Sequence, residues 1–265
     1  MSHLFWQHTG HTLPKQYYIP SFVLKTIVDL YYKGNHQTVI SLVDKVLENT
    51  KNLDNTLIRE FNYWLCLSLA KTKNKRFEIE VEKLDGVDYD YLYGFYYRFI
   101  KKFDYAQRHL EFAVQKSPNF QRAKRELVNI LLLKEEFDNA LAIAKENYNS
   151  QKLNAFHIQA YFLCIIRKKY LTRDDKDIIL ELFKNIDRSY DSRAKEIANV
   201  MKGEYEFYIN GNISGAISIL RECIKTNVSK HFPTKSLIDI YEKNGMYPAA
   251  NELKQKNGTD YTFVE

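Results

Sequence analysis

The sequence predicts an all-α protein, a solenoid in which about six to seven helix–turn–helix units stack in a row. The chain of 265 residues contains only 9 Gly and 5 Pro, so it has few obligatory turns, which favours helices with short connections. Apolar residues recur at the spacing of one helix face along most of the chain. Ala106 and Ala140 are 34 residues apart, and Ala216 and Ala250 repeat that step. A constant step indicates a repeated structural unit.

Residues 1–20 differ from the rest in composition. They contain three of the seven His and two of the five Pro, and their apolar residues follow neither a helix nor a strand period. We expect either an irregular arm that packs on the first helices or a linker. No cysteine or carboxylate joins His3, His8 and His11 at ligand spacing, so we expect no metal site there.

Helical patterns begin at Ser21. An apolar face that includes Phe22 and Ile27 ends at Gly34, and a second face follows over residues 39–47, which together predict a hairpin. A third helix is predicted over residues 55–71. Residues 77–84 alternate as a strand would, but a single strand among helices has no pairing partner. We therefore predict a short helix that ends before Gly86.

The centre of the chain has the clearest repeat. The tetrads FDYA at 103–106 and FDNA at 137–140 each place an aromatic residue at a turn, then an Asp able to cap a helix, then a small Ala. Gly94 in the preceding helix and Ala113 after the first tetrad add small residues, which allow close helix packing. Pro118 ends this unit because proline cannot continue a helix.

Three further hairpins are predicted after residue 154. A helix over 155–169 is followed by Thr172 and Asp175, which can cap the next helix. The next unit covers 192–228 with its turn at Gly211, and the last unit turns at Gly245. We expect the tail 257–265 to be loose or docked.

The spaced Gly and Ala, the turn aromatics and the 34-residue step together resemble the tetratricopeptide repeat. The resemblance covers roughly residues 21–256, and it departs from the family pattern at Val39, where a small Ala is usual. It implies a right-handed superhelix whose first helices line a concave groove. It also implies a binding scaffold, since the family rarely catalyses reactions.

Composition restricts the function classes. The net charge of +6 is dispersed, which allows a nucleic-acid partner without indicating one. Cys66, Cys164 and Cys223 are far apart and lack paired spacing, so we expect buried free thiols in a reducing compartment. No long apolar run and no signal-peptide core are found, which predicts a cytoplasmic protein without membrane contact.

No motif for chemistry is found either. The sequence has no phosphate-binding glycine loop, nucleophile elbow, zinc-protease motif or dinucleotide fingerprint. Asp174 and Asp175 form an acidic pair at a predicted helix start, where capping explains them. We expect no catalytic residues, no cofactor and no enzymatic activity.

Candidate binding residues come from projecting the first helices onto their concave, solvent-facing side. Besides Phe156, they are Tyr91, Phe95, Arg98, Arg122, Arg125, Asn129, Gln159, Arg167, Tyr205 and Tyr208. Aromatic anchors mixed with arginines and amides suit an extended peptide. The alternative is an ordinary solvated face with pairs inside each helix.

Arg125 and Asn129 resemble part of the carboxylate clamp of chaperone-binding members of the family. Ala160 stands where that clamp needs an amide-bearing residue in the next repeat, so a chaperone clamp is not expected.

The leading hypothesis is a non-enzymatic scaffold that binds a peptide or helical segment of an unidentified partner protein in the groove. One alternative is a sensor or regulatory module of a larger bacterial signalling or antiphage defence ATPase system. Another is a helical-repeat protein that binds single-stranded nucleic acid.

Overall fold

The computed structural model describes residues 20–49, 53–227 and 230–257. Within those ranges every regular element is a helix, which confirms the predicted all-α class. The elements are α1 Pro20–Tyr32, α2 His36–Asn49, α3 Asn55–Lys71, α4 Phe77–Glu80 with a 3-10 turn Val81–Lys83, α5 Gly86–Phe99, α6 Phe103–Lys116, α7 Gln121–Leu133, α8 Phe137–Ser150, α9 Ala155–Ile166, α10 Arg173–Asp187, α11 Ala194–Tyr208, α12 Ile213–Thr226, α13 His231–Lys243 and α14 Tyr247–Asn257. Apart from Pro20 and Asn257, the predicted arm 1–20 and tail 257–265 lie outside the described residues.

The chain divides into two compact units, which meet in the sequence between Asp85 and Gly86. In unit 1, α1 packs on α2 and α3, and α3 packs on α4. The side chains of Ile27, Phe61 and Phe77 are fully buried in this unit. The predicted short helix before Gly86 is confirmed, although it continues from α4 into the 3-10 turn.

Unit 2 consists of five hairpins in its described part: α5–α6, α7–α8, α9–α10, α11–α12 and α13–α14. In each hairpin the two helices pack together, and the second helix of most hairpins packs on the first helix of the next. The first helices also contact one another in order, from α5 to α7, α9, α11 and α13. This order is that of a helical-repeat solenoid.

Small residues set the distance between the paired helices. A Cβ atom added to Gly94 of α5 would lie 2.5 Å from Cγ of Leu110 on α6. The same atom on Gly203 of α11 would lie 2.8 Å from Cγ of Leu220 on α12. Ala106 is fully buried at the contact of α5 and α6, as its spacing predicts. Glycine thus permits a separation that no side chain would allow.

Four of the five turns inside the hairpins of unit 2 use a left-handed backbone residue. Gly211 has φ of 65° and Gly245 has φ of 71°, which confirms both predicted turns. Lys101 and Glu135 occupy the matching turns of the two central hairpins, with φ of 61° and 62°. These two residues adopt a conformation that glycine adopts more readily.

The predicted capping role of Asp104 and Asp138 is wrong. Each helix begins at the preceding phenylalanine, so the cap residues are Lys102 and Glu136, which make no side-chain capping bond. Both aspartates lie inside the first helical turn, where a negative charge is still favourable. Asp104 Oδ1 lies 2.9 Å from Nζ of Lys134, near the end of α7.

Thr172 caps α10 as predicted. Its hydroxyl accepts a hydrogen bond from the Asp175 backbone N–H at 3.1 Å, and the Asp175 carboxylate accepts one from the Thr172 N–H at 2.9 Å. This reciprocal capping box satisfies two helix-terminal donors. Lys168 also donates to Asp175, and the hydrogen bonds lower the pKa of this carboxyl against the opposing effect of burial.

Candidate functional site

The candidate site is the side of α5, α7, α9, α11 and α13 that carries the ten residues predicted to bind a partner. We call it the groove face. Because each of these helices contacts the next, side chains at equivalent positions come close together across helix boundaries. All five helices belong to unit 2.

Five of the predicted binding residues are buried, so their expected exposure to solvent is wrong. The exposed fraction is 5% for Tyr91, 4% for Phe95, 6% for Arg98 and 0% for both Asn129 and Gln159. The first helices pack side by side, and Arg98, for example, contacts Glu126 on the next first helix. Five of the ten therefore support the groove face from within.

Arg98 shows what such a buried position does. Its Nε lies 2.9 Å from Oε2 of Glu126 on α7, and both side chains are almost completely buried. The guanidinium carbon also lies 5.0 Å from the ring centre of Phe95 and 4.3 Å from that of Phe99. The charge of Arg98 is neutralised by Glu126 and packed against rings, so this residue joins α5 to α7.

Gln159 is one of two fully buried amides of the groove face, with Asn129. Neither its Oε1 nor its Nε2 has a hydrogen-bond partner among the described residues. A buried amide without partners is unfavourable by about 1–3 kcal/mol per group.

The accessible part of the groove face is centred on Phe156 of α9. Phe156 and Arg125 are half-buried, and Arg122 is exposed one turn away from Arg125 on α7. The guanidinium carbon of Arg125 lies 5.1 Å from the Phe156 ring centre, and that of Arg193 lies 5.9 Å from it. Two neighbouring elements, α7 and the residue before α11, thus bring arginines towards one ring on α9.

Arg193 is a residue that sequence reasoning missed. It precedes α11 as its N-terminal cap residue, so it lies outside the helix that was projected. Its only sequence signal is its position directly before a first helix. Arg193 Nε donates to Glu196 Oε2 over a long 3.4 Å.

A second cluster lies at the α9–α11–α13 end of the groove face. Arg167 has a side chain that is only 8% exposed, 3.6 Å from Asp239 Oδ2 on α13. Two positive groups lie near the ring of Tyr208 on α11. The guanidinium carbon of Arg167 is 5.8 Å from the ring centre, and Nζ of Lys243 is 4.5 Å from it. Lys243 also donates to the Tyr208 hydroxyl at 2.8 Å. Tyr205 is half-buried, edge-on to Phe183 with ring centres 5.6 Å apart.

Glu204 lies within this cluster and is 2% exposed. Its Oε1 accepts a hydrogen bond from the Ser236 hydroxyl at 2.8 Å, whereas Oε2 has no hydrogen-bond partner among the described residues. Burial raises the pKa of Glu204 to about 7, although Arg167 and Ser236 act in the opposite direction. This carboxyl can therefore hold a proton near neutral pH.

His157, unlike Glu204, loses its proton more readily than an ordinary side chain of its type. It is fully buried in α9, and burial together with the charge of Arg125 lowers its pKa to about 4. The imidazole is consequently neutral at physiological pH.

The three cysteines are buried and free, as predicted. Burial raises the pKa of Cys66 and Cys164 to about 12 and that of Cys223 to about 11. A thiol that stays protonated is a poor nucleophile.

Among residues 20–49, 53–227 and 230–257, no group of three or more His, Cys, Asp or Glu side chains could hold a metal ion. His3, His8 and His11 lie outside the described residues. No described helix has the length and apolar character needed to cross a membrane.

A wide cleft of about 800 Å³ lies outside the groove face, between α12 and the start of α14. Its apolar walls include Ile217, Met246 and Pro248. Its charged lining is mixed, with Arg221 and Lys225 beside the acidic Glu222. Arg221 donates to the Tyr241 hydroxyl at 3.1 Å, so part of this charge is held by the protein itself.

No protein-family model matches the chain, and no curated protein matches it by sequence. Among solved structures, the crystal structure of the APC/C hetero-tetramer Cut9-Hcn1 superposes on 91% of this chain and 46% of its own, with a TM-score of 0.56 and 18% identity. The tetratricopeptide-repeat fold is confirmed. A human IFIT1 dimer with m7Gppp-AAAA has a TM-score of 0.47 at 13% identity, covering 89% of this chain and 49% of that one. The structure of Naa15/Naa10 bound to HypK-THB has a TM-score of 0.40 at 12% identity, covering 89% and 36%.

The chain spans about half or less of the length of these solved chains. Its described tetratricopeptide-type hairpins number seven when the short α3–α4 pair is included, in agreement with the predicted six to seven. The fold is that of an α-helical repeat solenoid.

Proposed function

We propose that the chain is a non-catalytic scaffold that binds an extended peptide or a helical segment of a partner protein on the groove face of unit 2. The observation that carries this proposal is the order of contacts among α5, α7, α9, α11 and α13. Five first helices in sequence support one surface, and a ligand laid across it touches several repeats at once.

The accessible side chains of that surface have the character of a peptide-binding site. Arg122, Arg125, Tyr205 and Tyr208 remain at least partly accessible, and Phe156 lies between the first two and the last two in sequence. Arginine and tyrosine, with tryptophan, are enriched among the residues that dominate binding energy at protein interfaces. Guanidinium groups bind carboxylates or backbone carbonyls, while the rings take apolar side chains.

The buried predicted residues support the proposal in another way. Arg98, paired with Glu126 across α5 and α7, holds neighbouring first helices in register without exposing its charge. A rigid support reduces the conformational entropy lost when a ligand binds.

The test is affinity capture from native lysate followed by mass spectrometry. The double variant Arg122→Glu/Arg125→Glu places negative charge on the groove face. Its control, Arg108→Glu/Lys145→Glu, makes the same charge change at exposed positions of the second helices α6 and α8. We expect the wild-type chain and the control to capture the same partner protein and the groove variant to lose it.

Thermal unfolding by circular dichroism checks that all three chains are folded. Capture of the same partner by the groove variant would refute the groove assignment. Capture that disappears when nuclease is added would instead assign the surface to nucleic acid, whose binding also weakens steeply with salt.

A further inference from the structure

We infer that a proton on Glu204 holds the hairpin α13–α14 against α11 and α12, and that this hairpin opens more often when the proton is lost. The inference concerns a conformational change within unit 2. It does not depend on the proposed function, because it requires no partner protein.

The hairpin α13–α14 is attached to one neighbouring hairpin. Among the described helices, α14 contacts α13 alone, and α13 contacts the rest of unit 2 through α11 and α12. The attachment to α12 is apolar, since Cys223 shares one buried cluster with Phe232 and Leu237 of α13. The attachment to α11 includes a buried hydrogen bond, in which the Ser236 hydroxyl donates to Oε1 of Glu204 at 2.8 Å. A hairpin held by one neighbour can open while the other repeats stay folded.

Charged groups reach Glu204 from α9 and α13. Arg167, which follows α9, favours the charged carboxylate, but it also lies 3.6 Å from Oδ2 of Asp239 and acts on both acids. Asp239 disfavours a second negative charge, and it is paired with Lys235 on its own helix. Lys243, at the end of α13, favours the charged form more weakly. Since Oε2 of Glu204 has no hydrogen-bond partner among the described residues, a charge on this carboxylate is only partly compensated.

The two other helices packed against α11 bring apolar side chains and a thiol. Phe183 of α10 lies edge-on to Tyr205, with ring centres 5.6 Å apart, and Leu220 of α12 packs beside Gly203. Burial raises the pKa of Cys223 on α12 to about 11, so this thiol stays protonated at neutral pH. Glu204 is therefore the group in this contact whose charge changes near pH 7.

The direction of the effect follows from burial. In the closed hairpin, burial raises the pKa of Glu204 from 4.5 to about 7. Opening removes α13 and lets water reach the carboxyl, so its pKa returns towards 4.5. The closed form is therefore fully favoured below about pH 4.5 and loses this advantage as the pH rises to about 7. For these two pKa values the equilibrium constant for opening increases roughly 70-fold between about pH 5 and pH 8.

The experiment is hydrogen–deuterium exchange, read by peptide-level mass spectrometry, on the full chain at several pH values from about 5 to 8. Wild type is compared with Glu204→Gln and with the control Glu222→Gln, at an exposed position of α12. Rates are expressed as protection factors, which remove the pH dependence of exchange in an unstructured chain. In parallel, an aromatic disulfide reagent labels Cys223, which opening exposes, and the rate is divided by that of a reference thiol peptide. Cys66, in unit 1, is the internal control.

We expect the protection of α13 and α14 in wild type and in Glu222→Gln to fall roughly 70-fold from about pH 5 to pH 8, and Cys223 labelling to rise by a similar factor. Protection of α5 and α6 and labelling of Cys66 should change little. In Glu204→Gln the protection of α13 and α14 should stay nearly constant, because glutamine has no proton to lose. If circular dichroism shows that this variant is unfolded, Asp239→Asn replaces it. Removing that negative charge lowers the pKa of Glu204, so the loss of protection should be smaller than in wild type.

Three results overturn the inference. Protection of α13 and α14 that does not change with pH in the wild type refutes the device as a whole. An equal loss in wild type and Glu204→Gln, or in wild type and Asp239→Asn, refutes the role of Glu204. A loss of the same size in every hairpin of unit 2 shows that the unit opens together and refutes the separate hairpin.

Discussion

Replacing Glu204 with glutamine is expected to make the folded protein more stable at neutral and alkaline pH and to have little effect in acid. Glu204 is 2% exposed, and burial raises its pKa from 4.5 to about 7. Arg167 and Ser236 favour the charged form, while Asp239 and burial disfavour it. Glutamine keeps the size of the side chain and an oxygen that can accept from Ser236, but it has no proton to lose.

The sign follows from the two pKa values. Below about pH 4.5 the carboxyl is protonated in both the folded and the unfolded chain. Between about pH 4.5 and 7 the unfolded chain releases this proton while the folded chain keeps it, so the free energy of unfolding falls. Each pKa unit corresponds to about 1.4 kcal/mol, so the loss reaches about 3 kcal/mol above pH 7.

The assay is urea unfolding followed by circular dichroism at a series of pH values from about 4 to 8. Hydrogen exchange in α11 and α13 identifies the transition that belongs to unit 2. The stability of Glu204→Gln relative to wild type should grow by about 3 kcal/mol over this range. The control Glu222→Gln, at an exposed position of α12, should follow the wild-type profile. If Glu204→Gln also follows that profile, the assignment of a proton to Glu204 is incorrect.

Three further predictions concern the interior of unit 2. Arg98→Met should lower the free energy of unfolding in urea by about 3–5 kcal/mol, because it leaves the charge of Glu126 buried and unpaired. Adding Glu126→Leu should recover most of that free energy, since no unpaired charge then stays buried. If the effects of the two substitutions simply add, the pairing is contradicted. For His157, whose pKa falls from 6.5 to about 4, stability is lost as pH drops from about 6.5 to 4, and His157→Gln should abolish this loss of about 3 kcal/mol. If the stability of His157→Gln depends on pH between about 6.5 and 4 as the wild type does, the lowered pKa of His157 is refuted. Gly203→Ala should lower the melting temperature, because its Cβ would lie 2.8 Å from Cγ of Leu220. Overpacking is unfavourable by about 1–3 kcal/mol, which exceeds the gain in helix propensity. The control is Ser218→Ala at an exposed position, and equal melting temperatures for the two variants would refute the close contact.

The hairpins could be predicted from sequence because each depends on signals within a few residues. Ala106 and Ala140 mark equal places in two units, and Gly211 and Gly245 mark two turns. Thr172 with Asp175 forms a complete capping signal in four residues. Helix starts are harder to predict from sequence. The helix can begin at Phe103 after Lys102, as it does, or slightly later with Asp104 as its cap, and the local sequence allows both.

For the groove face, the sequence predicts which side of each helix a residue is on, but not whether that residue is exposed. A helical projection states which way Gln159 or Asn129 points from its own axis, but depth of burial depends on how closely the neighbouring helix approaches. The partner of Arg98 is Glu126, on another helix, and no spacing rule connects them. Arg193 was missed for a related reason, because it lies before its helix and reaches Phe156 of a different hairpin.

The turn residues have a consequence for how such repeats diverge. A left-handed residue is needed where α5 reverses into α6 and where α11 reverses into α12, and the chain uses Lys101 in the first case and Gly211 in the second. A side chain in this conformation is unfavourable by about 1–2 kcal/mol, whereas glycine loses up to about 1 kcal/mol more conformational entropy on folding. The two costs differ by only about 1 kcal/mol, so turn positions can drift between glycine and lysine without unfolding a hairpin. Repeats of one ancestry can thereby retain their backbone geometry after their shared sequence signature has faded.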